Sequence, residues 1–231
     1  MIPILMIALI KIFHTQPWVN TGLKINKFLN SRFRAVFIGL LVILFAIISI
    51  ASKSQTLHLN YTITKGGDDI GWLRLEKNIA GNTTKLLMVS EIKTRFIFLI
   101  TASAKDSSIF ENRKMIYSSQ FRQTNGSTKL NKQTRLVADK YEVLDDGDKE
   151  NLSIAFIGVN LLSLYFKEPV GINAVYCDIN KCFAPIIKTD DGGYKVKRPD
   201  GNSNTFYYSG GTCMKVIICQ SFYTVTVILK R

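Results

Sequence analysis

From residue 55 onward, apolar and polar positions alternate with a period of two, which is typical of half-buried β-strands. In TLHLNYTIT, at 56–64, the leucines, the tyrosine and the isoleucine share one face, and the polar residues share the other. Turns rich in glycine, aspartate and asparagine separate such stretches: KGGDD at 65–69, NG at 125–126, DDGD at 145–148, DDGG at 190–193 and PDGN at 199–202. This pattern predicts a mainly β domain over 55–231, with a single curved antiparallel sheet that forms a barrel or a half-barrel.

One segment, LLSLYFKEPVG at 161–171, does not fit the strand pattern. Asn160 is a suitable N-cap, and Pro169 would end a helix before the residue that precedes it. The segment therefore predicts one short helix. Four large side chains would form i,i+4 pairs on it: Leu161 with Tyr165, and Leu162 with Phe166.

The stretch 96–100 suggests where this helix packs. It is apolar at every position, so a strand there would be covered on both faces. We expect the helix to supply one cover, across the concave face or the mouth of the sheet. Its large side chains would then either complete the core or close a ligand cavity as a lid; they are Leu161, Leu162, Tyr165 and Phe166.

The N-terminal region carries a targeting signal. An uncharged apolar run at 35–52, AVFIGLLVILFAIISIAS, follows Arg32 and Arg34 and ends before Lys53. It is just long enough to span a bilayer, and Ser-Ile-Ala at 49–51 also fits a signal-peptide cleavage site. Because cations before such a helix stay in the cytoplasm, residues 55–231 are expected to be exported, either periplasmic or anchored outside the cytoplasmic membrane.

Residues 1–34 fit neither reading of the targeting signal well. MIPILMIALI is too short to span a membrane, and Pro17 and Gly22 interrupt the stretch that follows. These residues are either a cytoplasmic segment or an extension upstream of the true start, since the sequence from Leu23 already reads as a complete signal.

The net charge of +13 also divides at this point. About half of the excess lies before residue 55, where six basic residues meet no acidic one. The remaining basic residues are spread over predicted strands with acidic residues between them, which argues against a nucleic-acid partner. Contact with anionic lipid headgroups fits the expected location better.

Catalytic chemistry is not indicated by the residues. His58 is the one histidine after residue 55, and it lies on the polar face of the first strand. The paired aspartates fall in glycine-containing turns, where turn formation explains them. Asp106 and Glu168 are the best candidates for polar groups inside the concavity. We expect no enzyme, no catalytic residue, no metal and no cofactor.

Four cysteines lie in the predicted β domain: Cys177, Cys182, Cys213 and Cys219. The last two share one face of a strand at a separation of roughly 20 Å, which is too far for a disulfide. If two disulfides form, each joins this strand to the 177–182 turn. Buried free thiols are the alternative. The spacings do not match a zinc site.

Three motifs resemble an uncharacterised exported bacterial family, domain of unknown function 6134. They are GGDDIGWL at 66–73, SLYFKEPVG at 163–171 and YKVKRPDGNSNTFYY at 194–208. The resemblance implies an exported, mostly antiparallel β domain, related in outline to envelope lipid-carrier folds, with no established activity. The motif residues that match are Gly66, Ile70, Gly71, Ser163, Leu164, Tyr165, Phe166, Glu168, Pro169, Gly171, Tyr194, Pro199, Asp200, Gly201, Asn204 and Tyr208.

These observations together predict a cell-envelope protein without enzymatic activity. It would hold an apolar ligand, such as a lipid, or a partner protein's hydrophobic segment under its helix. The alternative is a structural or protein-interaction domain of the envelope whose interior is filled by its own side chains. Residues 35–52 would attach either form to the membrane if they are not cleaved.

Overall fold

The structure is a computed structural model that describes Val36 and residues 54–95 and 99–230. The predicted extension 1–34 lies outside the described residues, as does the apolar segment 35–52 except for Val36. In the described part of the chain, no helix is long and apolar enough to cross a bilayer.

Ser52–Arg231 forms one compact unit of β-strands and a single 3-10 helical turn, Leu161–Tyr165, among its described residues. The strands are β1 Gln55–Lys65, β2 Asp68–Ala80, β3 Thr83–Arg95, β4 Leu99–Glu111, β5 Lys114–Thr124, β6 Ser127–Val137, β7 Lys140–Asp145, β8 Asp148–Leu152, β9 Ala174–Cys177, β10 Cys182–Lys188, β11 Tyr194–Lys197, β12 Ser203–Ser209, β13 Thr212–Gln220 and β14 Tyr223–Leu229.

All fourteen strands belong to one antiparallel sheet, which confirms the predicted single sheet. Strands β1 to β8 form one meander and β9 to β14 a second, and the two join where β1 pairs with β14. The edges of the sheet are β8 and β9, which are consecutive in the chain. Within the described residues these edges do not pair, so the sheet is open and the closed-barrel alternative is wrong.

Backbone hydrogen bonds attach the segment between β8 and β9 to two strands of the sheet, β5 and β9. The amide of Met115 in β5 donates to the carbonyl of Ile157 at 2.8 Å, and the amide of Tyr176 in β9 donates to Val159 at 3.1 Å. The 3-10 turn that follows contacts β3, β4, β9 and β13. Among the described residues, the two edge strands are therefore connected by a hydrogen-bonded linker and not by a β-ladder.

Hairpin turns lie where glycine and asparagine predicted them. Gly66 and Gly67 connect β1 to β2, and Asn125 with Gly126 connects β5 to β6; all four have positive φ. Asparagine and glycine tolerate this left-handed conformation with little steric cost.

The inward side chains of the strands form one buried cluster that lies entirely within this unit. Its largest fully buried members are Tyr61, Tyr141, Tyr176, Phe206 and Met115. Because a compact unit with its own core can fold alone, we expect Ser52–Arg231 to fold as an isolated polypeptide.

The predicted helix is a 3-10 turn and not an α-helix. Asn160 is its N-cap as predicted: Asn160 Oδ1 accepts from the Ser163 amide at 3.2 Å, and Ser163 Oγ accepts from the Asn160 amide at 3.4 Å. The turn ends at Tyr165, well before Pro169. Tyr208 donates its hydroxyl to the carbonyl of Leu164 at 2.5 Å, which occupies an acceptor that a longer α-helix would use.

The predicted cover over 96–100 is not supported at the positions that the structure describes. Residues 96–98 lie outside the described residues. Leu99 is 49% exposed, so the prediction that both faces of this stretch are covered is wrong for it. The buried leucines and the tyrosine of the 3-10 turn pack against the central cluster instead.

Gly71 is required where β2 passes closest to β3. It pairs with Ile63 and Ile92, next to a β-bulge between Ile63 and Thr64, and a Cβ here would lie 2.1 Å from the carbonyl oxygen of Glu91. No side chain can adjust to relieve contact with a backbone atom.

We therefore expect Gly71→Ala to lower the free energy of unfolding by about 1–3 kcal/mol, as overpacking does. Urea denaturation of Ser52–Arg231 measures this. The control Asp69→Ala, on the same strand and exposed, should change stability by less than about 0.5 kcal/mol. Equal stability of the two variants would show that β2 and β3 are not this close.

Candidate functional site

A partly open cavity of about 330 Å³ lies beside the 3-10 turn, among the inward side chains of the sheet. Much of its wall is apolar and comes from β1, β2, β3, β13 and β14. These strands contribute Ile63, Leu73, Met88, Ile92, Ile218, Val225 and Val227.

The 3-10 turn supplies another part of the apolar wall. Of the four side chains predicted to act as core or lid, Leu161, Leu162 and Tyr165 line the cavity. Phe166 does not line the cavity; it is partly buried and packs against the margin of the core cluster. The Tyr165 ring is held edge-on by Tyr61 and Phe206, with ring centroids 6.0 and 5.4 Å away.

A polar wall comes from β4 and β5. Asp106 and Ser108 alternate inward on β4, and Gln120 and Arg122 do so on β5. Asp106 and Arg122 form a two-pronged ion pair: Nη2 donates to Oδ2 at 2.7 Å, and Nη1 donates to Oδ1. Each of these two charges is therefore neutralised by the other.

Asp178, just after β9, is a second buried acid at the cavity and is only 5% exposed. It accepts hydrogen bonds from the hydroxyl of Ser118 and from Asn160 Nδ2, the latter at 3.3 Å. The same Asn160 nitrogen lies 2.7 Å from Ser108 Oγ. Burial raises the pKa of Asp178 to about 6, despite the hydrogen bond from Ser118, and the nearby Asp106 carboxylate adds to the increase.

Lys132 on β6 fixes the chain that follows Asp178. Its buried ammonium group donates to the carbonyl of Ile179 at 2.8 Å and lies 3.0 Å from Asp145 Oδ2. The Lys132 side chain thus attaches the turn that carries Asp178 to β6.

Three polar groups at the cavity are buried without a hydrogen-bond partner among the described residues. Arg198, directly after β11, is 6% exposed, and neither its Nε nor its Nη2 is hydrogen-bonded. The same holds for Asn204 Oδ1 and Gln120 Oε1. All three residues line the cavity, and buried groups of this kind carry a desolvation cost until a partner satisfies them.

The other motif residues of the 163–171 segment do not line the cavity and make local contacts instead. Glu168 accepts a hydrogen bond from the Tyr194 hydroxyl at 2.8 Å. It is not one of the residues that line the cavity. Pro169 and Gly171 form the next turn, in which the Ile172 amide donates to the Pro169 carbonyl at 3.1 Å. Ser163 caps the 3-10 turn.

Asp200 and Gly201 shape the turn that presents Arg198. Asp200 Oδ1 accepts from the Asn202 amide at 3.0 Å, and Gly201 has positive φ. The amide of Arg198 donates to the Asn202 carbonyl at 2.9 Å, which closes the turn.

The described residues include every cysteine of the chain, and all four are free thiols. This structure therefore has the free-thiol alternative, and neither of the two possible disulfides between β13 and the 177–182 turn is formed in it. Cys177 and Cys182 lie directly opposite each other in the β9–β10 hairpin, whereas Cys213 and Cys219 lie on β13.

His58 is on the surface, as expected, and its Nδ1 lies 4.0 Å from Oε2 of Glu76.

Sequence reasoning missed most of the polar wall, although one signal was present. The stretch TASAKDSS at 101–108 has no large apolar side chain on either face, yet it lies in the middle of a folded domain. A strand inside a domain whose faces carry only small and polar side chains must bury polar groups or line a cavity with them. Asp106 was the single member identified from the sequence; Arg198 resembled an ordinary turn residue.

Asp178 makes stability depend on pH in a predictable direction. Its pKa is about 6 in the folded domain against an ordinary value of 3.8, so the folded state binds the proton more tightly. The contribution of Asp178 to stability is therefore largest below about pH 4, falls as the pH rises to about 6, and is then constant.

The loss over this range should be about 3 kcal/mol for wild type and should be missing from Asp178→Asn. Urea denaturation of both proteins between pH 4 and pH 8 measures it, and the difference of the two pH profiles removes the contribution of other acids. Parallel profiles would show that Asp178 titrates normally.

Comparison with known proteins gives a family but no activity. A family profile described as "Domain of unknown function (DUF6134)" matches residues 61–230. No curated protein matches the chain. Among solved structures, the chain is similar to a "Beta-barrel-like Protein of Domain of Unknown Function DUF1849" from Brucella abortus, with 10% identity, a TM-score of 0.49, and coverage of 78% of this chain and 98% of that one.

Proposed function

The chain belongs to the DUF6134 family, and we propose that its β domain is a binding protein for a small amphipathic molecule, such as a lipid or a fragment of one. The molecule would occupy the cavity beside the 3-10 turn. The observation that carries this proposal is a cavity with one apolar wall and one polar wall, in which buried polar groups have no hydrogen-bond partner among the described residues.

The size and lining of the cavity support this proposal. Ligand pockets typically occupy roughly 300–1,000 Å³ and combine apolar walls with a few polar groups. The volume of about 330 Å³ lies at the lower end of that range, so a single short chain fits better than a whole two-chain lipid.

The arrangement of charges favours binding over catalysis. Asp106 and Arg122 are engaged with each other, and both oxygens of Asp178 accept hydrogen bonds. Groups that are satisfied in this way position and select a ligand, whereas a general acid or base must reach a reacting atom. A non-enzymatic role is therefore part of the proposal.

Export and membrane attachment also belong to the proposal. The charge pattern around 35–52 supports translocation of residues 55–231, so the ligand would be encountered outside the cytoplasm, in the periplasm or at the membrane surface. A lipid or another envelope component is the kind of molecule available there.

A protein-interaction domain without a ligand is the second candidate. Exposed apolar side chains favour it: Phe222 is 98% exposed, and Val170 and Phe183 are also exposed. Such side chains mark contact surfaces when they are contiguous.

Filling the cavity separates these two candidates. Ala104 lines the cavity on β4, and Lys105 is exposed on the opposite face of that strand. We expect Ala104→Phe to reduce the affinity of Ser52–Arg231 for decanoate and decanol by tenfold or more, because the ring occupies the ligand's space, while Lys105→Phe leaves it unchanged.

Isothermal titration calorimetry of folded protein, confirmed by circular dichroism, provides the measurement. Ala104→Leu serves if the phenylalanine variant does not fold. If the wild type binds neither probe, or if filling the cavity does not change its affinity, the interaction-domain candidate is favoured instead.

A further inference from the structure

We propose that the bound molecule carries an anionic head group, a carboxylate, and that Arg198 binds it inside the cavity. This inference rests on the proposed function and specifies its ligand class: a short-chain or medium-chain acid whose apolar body lies against the apolar wall. Of the cavity-lining groups that lack a hydrogen-bond partner among the described residues, the Arg198 guanidinium is the charged one.

Backbone hydrogen bonds fix the position of Arg198, whereas no described side chain is hydrogen-bonded to its Nε or Nη2. Its amide donates to Asn202 and its carbonyl accepts from Gly201 at 3.1 Å, so the β11–β12 turn fixes where the side chain begins. The side chain is 6% exposed and lines the cavity. The sheet therefore holds a guanidinium at the cavity without pairing it as it pairs Arg122 with Asp106.

The unsatisfied atoms are Nε and Nη2, and this determines the ligand chemistry. These two nitrogens form one edge of the guanidinium plane, and their N–H groups point in the same direction. A carboxylate matches such a fork with two parallel hydrogen bonds. An alcohol or an amide oxygen would satisfy at most part of it.

Asp200 is the nearest acid to this edge, and it does not complete the pair. Its Oδ1 lies 3.6 Å from Arg198 Nε, beyond hydrogen-bond distance, and already accepts from the Asn202 amide. Asp200 therefore offsets part of the charge of Arg198 and leaves its donors open.

The other charged groups that line the cavity, and Lys132 next to it, already have hydrogen-bond or ion-pair partners. Arg122 and Asp106 bind each other, Asp178 is held by Ser118 and Asn160, and Lys132 beneath the Asp178 turn is paired with Asp145. A ligand anion would therefore find its open donors at Arg198. The unpaired oxygens of Asn204 and Gln120 can accept from a hydroxyl group or from water beside it.

A head-group series on the unmodified domain tests this inference. Decanoate, decanol and decylamine are titrated into Ser52–Arg231 by calorimetry at about pH 8, each below its micelle concentration. We expect decanoate to bind at least tenfold more tightly than decanol, because charge-assisted hydrogen bonds to a buried arginine stabilise the acid alone.

Arg198 variants then assign the effect. Arg198→Met should reduce decanoate affinity to the level of decanol and leave decanol affinity unchanged, and Arg198→Lys should retain part of the preference. The matched control Arg74→Met, on the exposed face of β2, should change neither affinity. If Arg198→Met does not fold, the head-group series on wild type still decides the matter.

The outcomes also separate this inference from the proposed function. Equal affinity for decanoate and decanol would overturn the head-group assignment while the binding function stands. Tighter binding of decylamine would overturn it in favour of an acid such as Asp178 as the recognition group. Binding of none of the three would contradict the proposed function itself.

Discussion

Replacement of Tyr165 by alanine is expected to lower the free energy of unfolding of the domain by about 3–5 kcal/mol. The Tyr165 ring is buried between Tyr61 and Phe206 in two edge-to-face contacts, and it belongs to the 3-10 turn that lines the cavity. Its removal therefore loses apolar burial and two aromatic contacts, and it also enlarges a cavity that is already present.

Urea denaturation of Ser52–Arg231 measures this loss, with Phe166→Ala as the matched control. Phe166 is the next residue, is equally large and is only partly buried, at the margin of the core. We expect the control to lose less than half as much stability. A larger loss from Phe166→Ala would mean that the 3-10 turn is rotated relative to this structure.

Breaking the Asp106–Arg122 pair should have the next largest effect. Asp106→Leu leaves a guanidinium in a mostly buried position, and Arg122→Met leaves a carboxylate there. Removal of one partner from a buried pair costs about 3–5 kcal/mol, and we expect about 3 kcal/mol here because a quarter of the Arg122 side chain reaches solvent.

The double variant Asp106→Leu/Arg122→Met should recover most of that loss, since neither charge then needs a partner. A double-mutant cycle by urea denaturation gives the coupling energy. If the losses of the two single substitutions simply add in the double variant, the two side chains do not pair in solution.

The strand pattern and the turns were predictable from the sequence because both are local. Alternation along 56–64 places Tyr61 and Ile63 inward, and the Asn125–Gly126 turn supplies the positive φ that its hairpin needs. The N-cap at Asn160 followed from the same kind of local chemistry. These features depend on residues within a few positions of one another.

The open sheet and the 3-10 turn were not predictable because their causes are distant in sequence. Whether β8 and β9 pair depends on where the linker between them lies, and that linker bonds to Met115 on β5. The Leu164 carbonyl is taken by Tyr208, 44 residues away. Local rules for helix formation contain neither contact.

The cavity site was the least predictable part. Leu161, Leu162 and Tyr165 were identified from their apolar spacing, and they do line the cavity. Arg198 lies in KRPDGN, a sequence that reads as a polar surface turn. Its burial, and the lack of a hydrogen-bond partner for two of its nitrogens among the described residues, depend on side chains that only the folded domain brings together.

Native mass spectrometry of the β domain tests the binding function most directly. Ser52–Arg231 is purified from cells without detergent, transferred intact to the gas phase, and then dissociated so that any released molecule is identified by its mass. We expect one bound acidic amphipathic molecule per domain, and its loss in Ala104→Phe. A wild-type domain that carries no molecule, and that takes up neither decanoate nor decanol when these are added, would contradict a ligand-binding function.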